Sequence, residues 1–439
     1  MKLVANSVAN SVVGSACGLV GCVQRTVRGL AAALVLVAGT AGGLVAMGGF
    51  TPSAQAQPGM GRMMAAQFSN SGSAISRKSL SEYATLLGMS EEQKETATTL
   101  LEGYRDAHKA ALEEMQAKVE GLQEKARDTG DWSVFQKDMP EIGKTFAEKV
   151  DKLEKDLVTD IQAVLTPAQV EKWPSVERHR RRDMGLRWGF YSGAAVDLIR
   201  ITNRSGITME SPEAKEVLGQ YETELDAKLQ EFGRWSDDSR KEAMKPENMM
   251  NQQSQMKLLE EGAKYSKDVR DINKRYVSRL RDVLDETNRE KFTEEFNKRA
   301  YPRIYRDSHT EEMLIAATGF SDLDESQKET VKTLKEQYMR EASSLNANWA
   351  KAQEAAEEKA GGSMQLMMAQ WMGASEDVKK AQEEIKAARE ARKEVDDKFK
   401  KRLQDMLNGA QKDRLPTKKP TNQNPWDFGM FVEEEGEDE

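Results

Sequence analysis

The sequence predicts an all-α protein made of three tandem long antiparallel helical hairpins with short flanking helices. One sequence pattern occurs three times along the chain. Its clearest markers are three tyrosines spaced 117 residues apart, Tyr104, Tyr221 and Tyr338. Each copy carries two apolar stripes that step by three and four residues, the spacing of one helix face. Charged residues make up 31% of the chain and aromatic residues 6%, which favours long amphipathic helices.

The N-terminal segment is predicted to be an export signal. Residues 2–28 carry only basic charges, an apolar run of small and aliphatic residues covers 29–50, and Ala54-x-Ala56 follows. This order predicts a signal peptide over residues 1–56 and a periplasmic or secreted protein. Two alternatives stay open. The apolar run is long enough for a retained membrane anchor, and the sequence ending in Cys22 loosely resembles a lipoprotein cleavage box.

Loss of this leader changes the chemistry of the remaining chain. Both cysteines, Cys17 and Cys22, lie in the leader, so the mature protein is expected to have no disulfide and no thiolate metal site. The leader holds three basic residues and no acidic ones, so its removal leaves 62 Lys and Arg against 73 Asp and Glu. That acidic balance argues against a nucleic-acid partner. We expect no membrane span after cleavage.

The repeats define the predicted domains. After a flexible segment over 57–78, the hairpin units cover 79–182, 183–306 and 307–415, and a disordered acidic tail covers 416–439. Each unit is predicted to pair two helices of about 40 residues, because two apolar stripes must bury their faces against each other. The second stripe of each unit lies on the helix that runs back along the first, and we call it the returning stripe. It stays apolar in all three units except at Arg392.

A short sequence motif follows the second long helix of each unit. Its clearest form is Leu165-Thr166-Pro167-Ala168-Gln169, in which the threonine can cap a new helix that proline begins. The second repeat keeps Leu284 and has Asn288 for the glutamine, and the third keeps Leu407 and Gln411.

These residues resemble the LTxxQ-motif family, the Spy/CpxP-like periplasmic proteins, here as three tandem divergent copies. The first repeat matches the motif at Leu165, Thr166 and Gln169, and Leu87-Gly88-Met89-Ser90-Glu91-Glu92-Gln93 resembles the family's opening element. The resemblance implies a small exported helical protein that acts as an ATP-independent chaperone or an envelope-stress modulator. The second and third repeats keep Leu284, Leu407 and Gln411 and depart from the motif at other positions, among them Asn288.

The predicted hairpin tips carry the candidate binding residues. Methionine side chains are flexible and polarizable, so clusters of them suit contact with varied apolar partners. The candidate client-binding residues are Trp235, Met249, Met250, Met256, Met364, Met367, Met368, Trp371 and Met372. Two other interpretations stay open: these side chains fill the cores of the tips or a contact between units, or their thioethers bind Cu(I).

Other features favour structural roles. His108 falls on the first apolar stripe of its unit and is expected to be partly buried between the two helices of the hairpin. The basic run over 178–182 is a solvated linker, a partner for acidic helix faces, or a contact for anionic lipid or phosphate. The aromatic segments 185–191 and 299–306 are expected to dock one hairpin on the next.

The sequence contains no Gly-rich phosphate loop, nucleophile elbow or HExxH motif, so we expect no catalytic residues, no cofactor and no dedicated metal site. The predicted function is an exported helical binding protein for protein partners or unfolded clients. The alternative is a structural spacer or adaptor of the cell envelope, and a weaker one is metal binding at the Met-rich tips. Self-association stays open.

Overall fold

The structure is a computed structural model, and it confirms the all-α fold. It describes residues 75–131, 133–186, 189–243, 245, 248 and 251–417. Most of these residues are helical, and none of them lies in a β-strand. The predicted signal peptide, most of the flexible segment and nearly all of the acidic tail lie outside the described residues. None of the helices in the described part of the chain is long and apolar enough to cross a bilayer.

Two compact units divide the described chain. The first comprises the residues up to Met184 together with Gln230–Glu261, and the second comprises Gly185–Leu229 together with the residues from Gly262 onward. The predicted organisation into three hairpins, with the boundaries given above, stays a prediction.

Within residues 75–185, where the structure describes nearly every residue, the first unit contains five helices. They are α1 (Arg77–Leu87), α2 (Glu91–Thr129), α3 (Ser133–Ala163), α4 (Pro167–Val170) and α5 (Trp173–Gly185, whose last residue belongs to the second unit). Helix α2 begins at a Ser90–Gln93 capping box and ends at Gly130, whose φ of 69° suits a residue without a Cβ. Helices α2 and α3 are antiparallel, with Lys149 Nζ 2.8 Å from the Glu114 carboxylate.

Two apolar clusters hold the α2–α3 pair together. One lies near the base of the pair and includes Ala97, Leu101 and Ile161. The other lies toward the turn and includes Met115 and Phe146. These residues belong to the two stripes that the sequence predicted to face each other.

The remaining helices lie wholly or partly in the second unit. They are α6 (Leu198–Arg204), α7 (Pro212–Ala243), α8 (Gln252–Val283), α9 (Glu286–Ala300), α10 (Pro302–Tyr305), α11 (His309–Thr318), α12 (Glu325–Ala360), α13 (Ser363–Met372), α14 (Glu376–Met406) and α15 (Gly409–Lys412). The ends of α7 and α8 that face their connection, Gln230–Glu261, belong to the first unit.

Both long pairs of the second unit are antiparallel. In α7 and α8, Gln220 contacts Arg279 and Lys228 contacts Asp268, so residue numbers rise on one helix as they fall on the other. In α12 and α14, Lys398 Nζ lies 2.8 Å from the Glu341 carboxylate.

The long helices have 31 to 39 residues, and most are shorter than the predicted length of about 40. In the third repeat the reason is local. Gly361 and Gly362 both have positive φ and end α12, so the uncharged segment after them forms the separate helix α13.

Candidate functional site

The closing motif of the first repeat forms a glutamine clasp, by which we mean the amide pair Gln93–Gln169 and its bonds. Each side-chain amide donates to the other, at 2.8 and 2.9 Å. Gln169 Nε2 also donates to the Gly88 carbonyl at 3.0 Å, and Gln93 Nε2 donates to the Val164 carbonyl at 2.8 Å. Gln169 is buried, and its Oε1 also accepts from the Thr166 backbone N–H. The clasp therefore joins the first turn of α2 to the end of α3.

The third repeat has a matching clasp. Gln411 Nε2 donates to the Asp322 carbonyl at 3.3 Å, and Gln327 Nε2 donates to Gln411 Oε1 at 3.4 Å and to the Met406 carbonyl at 3.2 Å. Asn408 supplies the cap that threonine supplies in the first repeat. Leu407 is buried in the core of the α12–α14 pair.

The second repeat keeps the cap but lacks the amide pair. Asn288 bonds to its own cap residue, Asp285, and its Oδ1 accepts from the Thr208 backbone N–H at 3.1 Å. Leu284 is buried in the local core. In all three repeats the motif residues thus join the opening of a repeat to its close. This geometry is structural.

Two of the three repeat tyrosines make equivalent hydrogen bonds across their helix pairs. The hydroxyl of Tyr221 donates to Asn273 Oδ1 at 2.9 Å, and that of Tyr338 donates to Asp396 Oδ1 at 2.7 Å. Asn273 and Asp396 occupy the same place in the repeat as Glu154, whose carboxylate lies near Tyr104.

Tyr104 and Tyr338 are buried, and burial raises the pKa of their hydroxyls. Burial raises the pKa of Tyr338 to about 12, although a hydrogen bond with Ser308 and the nearby Arg392 charge act in the opposite direction. Burial, assisted by the Glu154 carboxylate, raises the pKa of Tyr104 to about 12 as well. The hydroxyls of Tyr104 and Tyr338 therefore stay protonated at neutral pH.

Arg392, the break in the apolar stripe, is buried within a polar network. Its Nε donates to Asn346 Oδ1 at 2.8 Å, one terminal nitrogen lies 2.5 Å from Asp396 Oδ1, and the other donates to the Tyr338 hydroxyl at 2.7 Å.

Asn346, which accepts a hydrogen bond from Arg392, also replaces an apolar residue of the other two repeats. Asn346 stands where the other repeats have Leu112 and Leu229, and Arg392 stands where they have Val150 and Val269. Each of these leucine–valine pairs lies in one apolar cluster. The third repeat has thus exchanged an apolar pair for a hydrogen-bonded polar pair.

A buried carboxylate fixes the linker ahead of α6 to helix α12. Glu357 is 1% exposed. It accepts from the Ser192 backbone N–H at 2.8 Å, from the Ser192 hydroxyl at 2.7 Å and from the Ser363 hydroxyl at 2.8 Å. The Ser363 backbone N–H donates to the Phe190 carbonyl at 2.6 Å. The aromatic linker, expected to be a docking segment, thus contacts α12 and the start of α13 within the second unit.

The candidate client-binding residues differ in their surroundings. Met364 is buried, whereas Met256, Met367 and Met368 are half-buried. Trp235 is half-buried, and its indole N–H donates to Glu261 at 3.0 Å. Met249 and Met250 lie outside the described residues. Trp371 and Met372 lie in α13, and their side chains are likewise outside what the structure describes.

The sequence predicts the surroundings of His108 but not those of His179. His108 is 8% exposed and packs beside the rings of Tyr104 and Phe146, as its place on the stripe predicted. His179 lies in the basic run over 178–182, where no sequence feature distinguishes it from the neighbouring arginines. In the structure its ring lies between two carboxylates, those of Glu82 and Asp183. The helical spacing of His179 and Asp183 was visible in the sequence, but Glu82 was not identifiable as a neighbour.

The surrounding charges are mixed. Tyr83 packs its ring edge-on to His179, and burial raises the pKa of its phenol. Arg180 contacts Glu154 on α3, so part of the basic run is paired with an acidic helix face. That pairing agrees with the structural interpretation of the run.

No family model matches the chain, and neither a curated protein nor a solved structure matches it. The resemblance to the LTxxQ-motif family therefore stays a prediction that rests on the motif residues.

Proposed function

We propose that this chain is an exported, non-enzymatic helical binding protein that uses helix α13 to bind apolar segments of unfolded or partner proteins. One observation carries the proposal. The ten residues of α13, SMQLMMAQWM, contain no charged side chain, in a chain of which 31% is charged. Four of them are methionines, which adapt to partners of varied shape.

The way α13 is held leaves part of its apolar surface accessible. Met364 and Leu366 are buried, and Leu366 packs with Ala356 and Val378. Met367 and Met368, the next two residues, are only half-buried. The buried side chains anchor the helix, and the half-buried methionines offer polarizable surface to a partner.

An aggregation assay tests the proposal. The predicted mature chain, residues 57–439, is mixed with an unfolding client, and light scattering follows the client's aggregation. We expect the chain to suppress aggregation, the double variant Met367→Ser/Met368→Ser to suppress it less, and Met339→Ser to match the wild type. Met339 is the control because it is a methionine outside α13 that is 43% exposed.

Two results would count against the proposal. Equal client aggregation with and without the chain would remove the binding function. Equal suppression by the double variant and the wild type would place the binding surface elsewhere.

The second candidate is a structural spacer or adaptor of the cell envelope. It is favoured by the buried Glu357 junction, which fixes α12 to the linker at Ser192 through charge-assisted hydrogen bonds. The spacer function would be supported by two results together: the chain leaves client aggregation unchanged, and the linker at Ser192 resists proteolysis.

A further inference from the structure

The cluster formed by Glu82, His179 and Asp183 has the composition of a metal site. His179 Nε2 lies 2.9 Å from the Glu82 carboxylate, and His179 Nδ1 lies 3.4 Å from the Asp183 carboxylate. One ligand atom from each residue can be chosen so that all three lie within 4.8 Å of one another. The three side chains are between 13% and 27% exposed, so they are mostly shielded but reachable from solvent.

The backbone supports these side chains from two helices. His179 and Asp183 are four residues apart on α5, so they lie on one face, and Glu82 faces them from α1. Ligands at positions i and i+4 of a helix are the spacing that helical zinc sites use. A third ligand from a neighbouring helix then completes a set that the fold itself holds in place.

Charged groups of both signs surround the site. Glu82, Glu154 and Asp183 all act on the neighbouring Tyr83 with negative charge, against the positive charge of Arg180. Arg180 contacts Glu154, and Arg181 lies 3.8 Å from Glu177. The Glu82 and Asp183 carboxylates both contact the His179 ring, and carboxylate oxygens are common ligands of divalent ions.

The donor set indicates the kind of ion. One imidazole nitrogen and two carboxylate oxygens, without a thiolate, suit Zn²⁺ or a similar borderline divalent ion. Three protein ligands leave a fourth position for water. The two carboxylates lie beside different nitrogens of the ring, so binding one ion requires side-chain rotations that turn one nitrogen toward both carboxylates. The three ligand atoms lie within 4.8 Å of one another.

We propose that Glu82, His179 and Asp183 bind one Zn²⁺ ion, which joins the opening helix α1 to the closing helix α5. The site is independent of the binding surface proposed on α13. Its role is to tie together two helices that are distant in the sequence, so the ion stabilises the first repeat.

Calorimetric titration of the purified, untagged protein with Zn²⁺, after chelation and dialysis, tests the proposal. We expect one equivalent to bind and the melting temperature to rise with added Zn²⁺. His179→Gln, Asp183→Asn and Glu82→Gln should each weaken binding by about tenfold or more, because each removes a metal ligand but keeps a polar side chain of similar size. Circular dichroism of each metal-free variant verifies that it is folded.

His309→Gln is the matched control. His309 is also a partly buried histidine, with a carboxylate 3.7 Å away on Glu312, but that single carboxylate makes no three-ligand set. This variant should bind Zn²⁺ as the wild type does. The proposal is overturned if the wild-type protein binds no stoichiometric Zn²⁺, or if the three ligand variants bind it as tightly as the wild type.

Discussion

Replacing Gln169 tests whether the closing motif is a clasp between helices or only a helix cap. Gln169→Ala removes two amide contacts with Gln93 and the bond to the Gly88 carbonyl. A typical hydrogen bond contributes about 1 kcal/mol, and this site is buried, so we expect a loss of about 2–4 kcal/mol in the stability of the first repeat. Asn288→Ala, at the same motif position without an amide pair, should cost only about 1 kcal/mol, because it removes exposed bonds to Asp285 and Thr208 and leaves the Asp285 cap in place.

The variant Gln169→Glu separates the two explanations. Glutamate serves as well as glutamine in a capping box, so a pure cap would tolerate it. In the clasp it turns a donor into a carboxylate oxygen that faces the Gly88 carbonyl, and we expect it to destabilise as much as alanine does. The assay is urea unfolding followed by amide hydrogen exchange over residues 86–93 and 164–170. Wild-type stability and exchange protection in Gln169→Glu would refute the clasp.

Two further predictions concern the buried polar groups. Arg392→Val restores the apolar stripe, yet we expect it to cost about 3 kcal/mol in urea unfolding, because Asp396 and Tyr338 lose a buried partner. Adding Asn346→Leu, which recreates the pair of the other repeats, should recover part of that loss, and an additive double variant would contradict the coupling. The pKa of Tyr338 is raised from its ordinary value of 10.0 to about 12, so its contribution to stability is complete below pH 10 and is lost as the pH rises toward 12. Spectrophotometric titration should show fewer tyrosinates in the folded than in the urea-unfolded protein across that window, and coincident titration curves would refute it.

Local sequence patterns predicted the helices and most of their buried faces. The Ser90 cap and the Gly88 stop follow from side-chain and backbone chemistry within a few residues, and both are present. The stripe periodicity likewise placed Ala97 and His108 inside the α2–α3 pair. Such features depend on neighbours at helical spacing, which a sequence shows directly.

Contacts between residues distant in the sequence could not be predicted in the same way. Glu357 lies in a helix crowded with glutamates, and only its position opposite Ser192 makes it the buried one. Glu82 and His179 belong to different helices, and no local pattern links them. The sequence identified Arg392 as an exception, but the compensating Asn346 became evident only when the two helices were paired.

The polar exchange at Asn346 and Arg392 bears on how a chain of similar copies avoids mispairing. In tandem repeats, a helix can pair with the complementary helix of another copy, and such domain swapping is a characteristic failure of repeat proteins. If α14 paired with α2 or α7, Arg392 would meet Leu112 or Leu229 in place of Asn346. The swapped state would then bury a guanidinium that lacks one of its acceptors. The third repeat therefore selects its own partner helix through the cost of the wrong one.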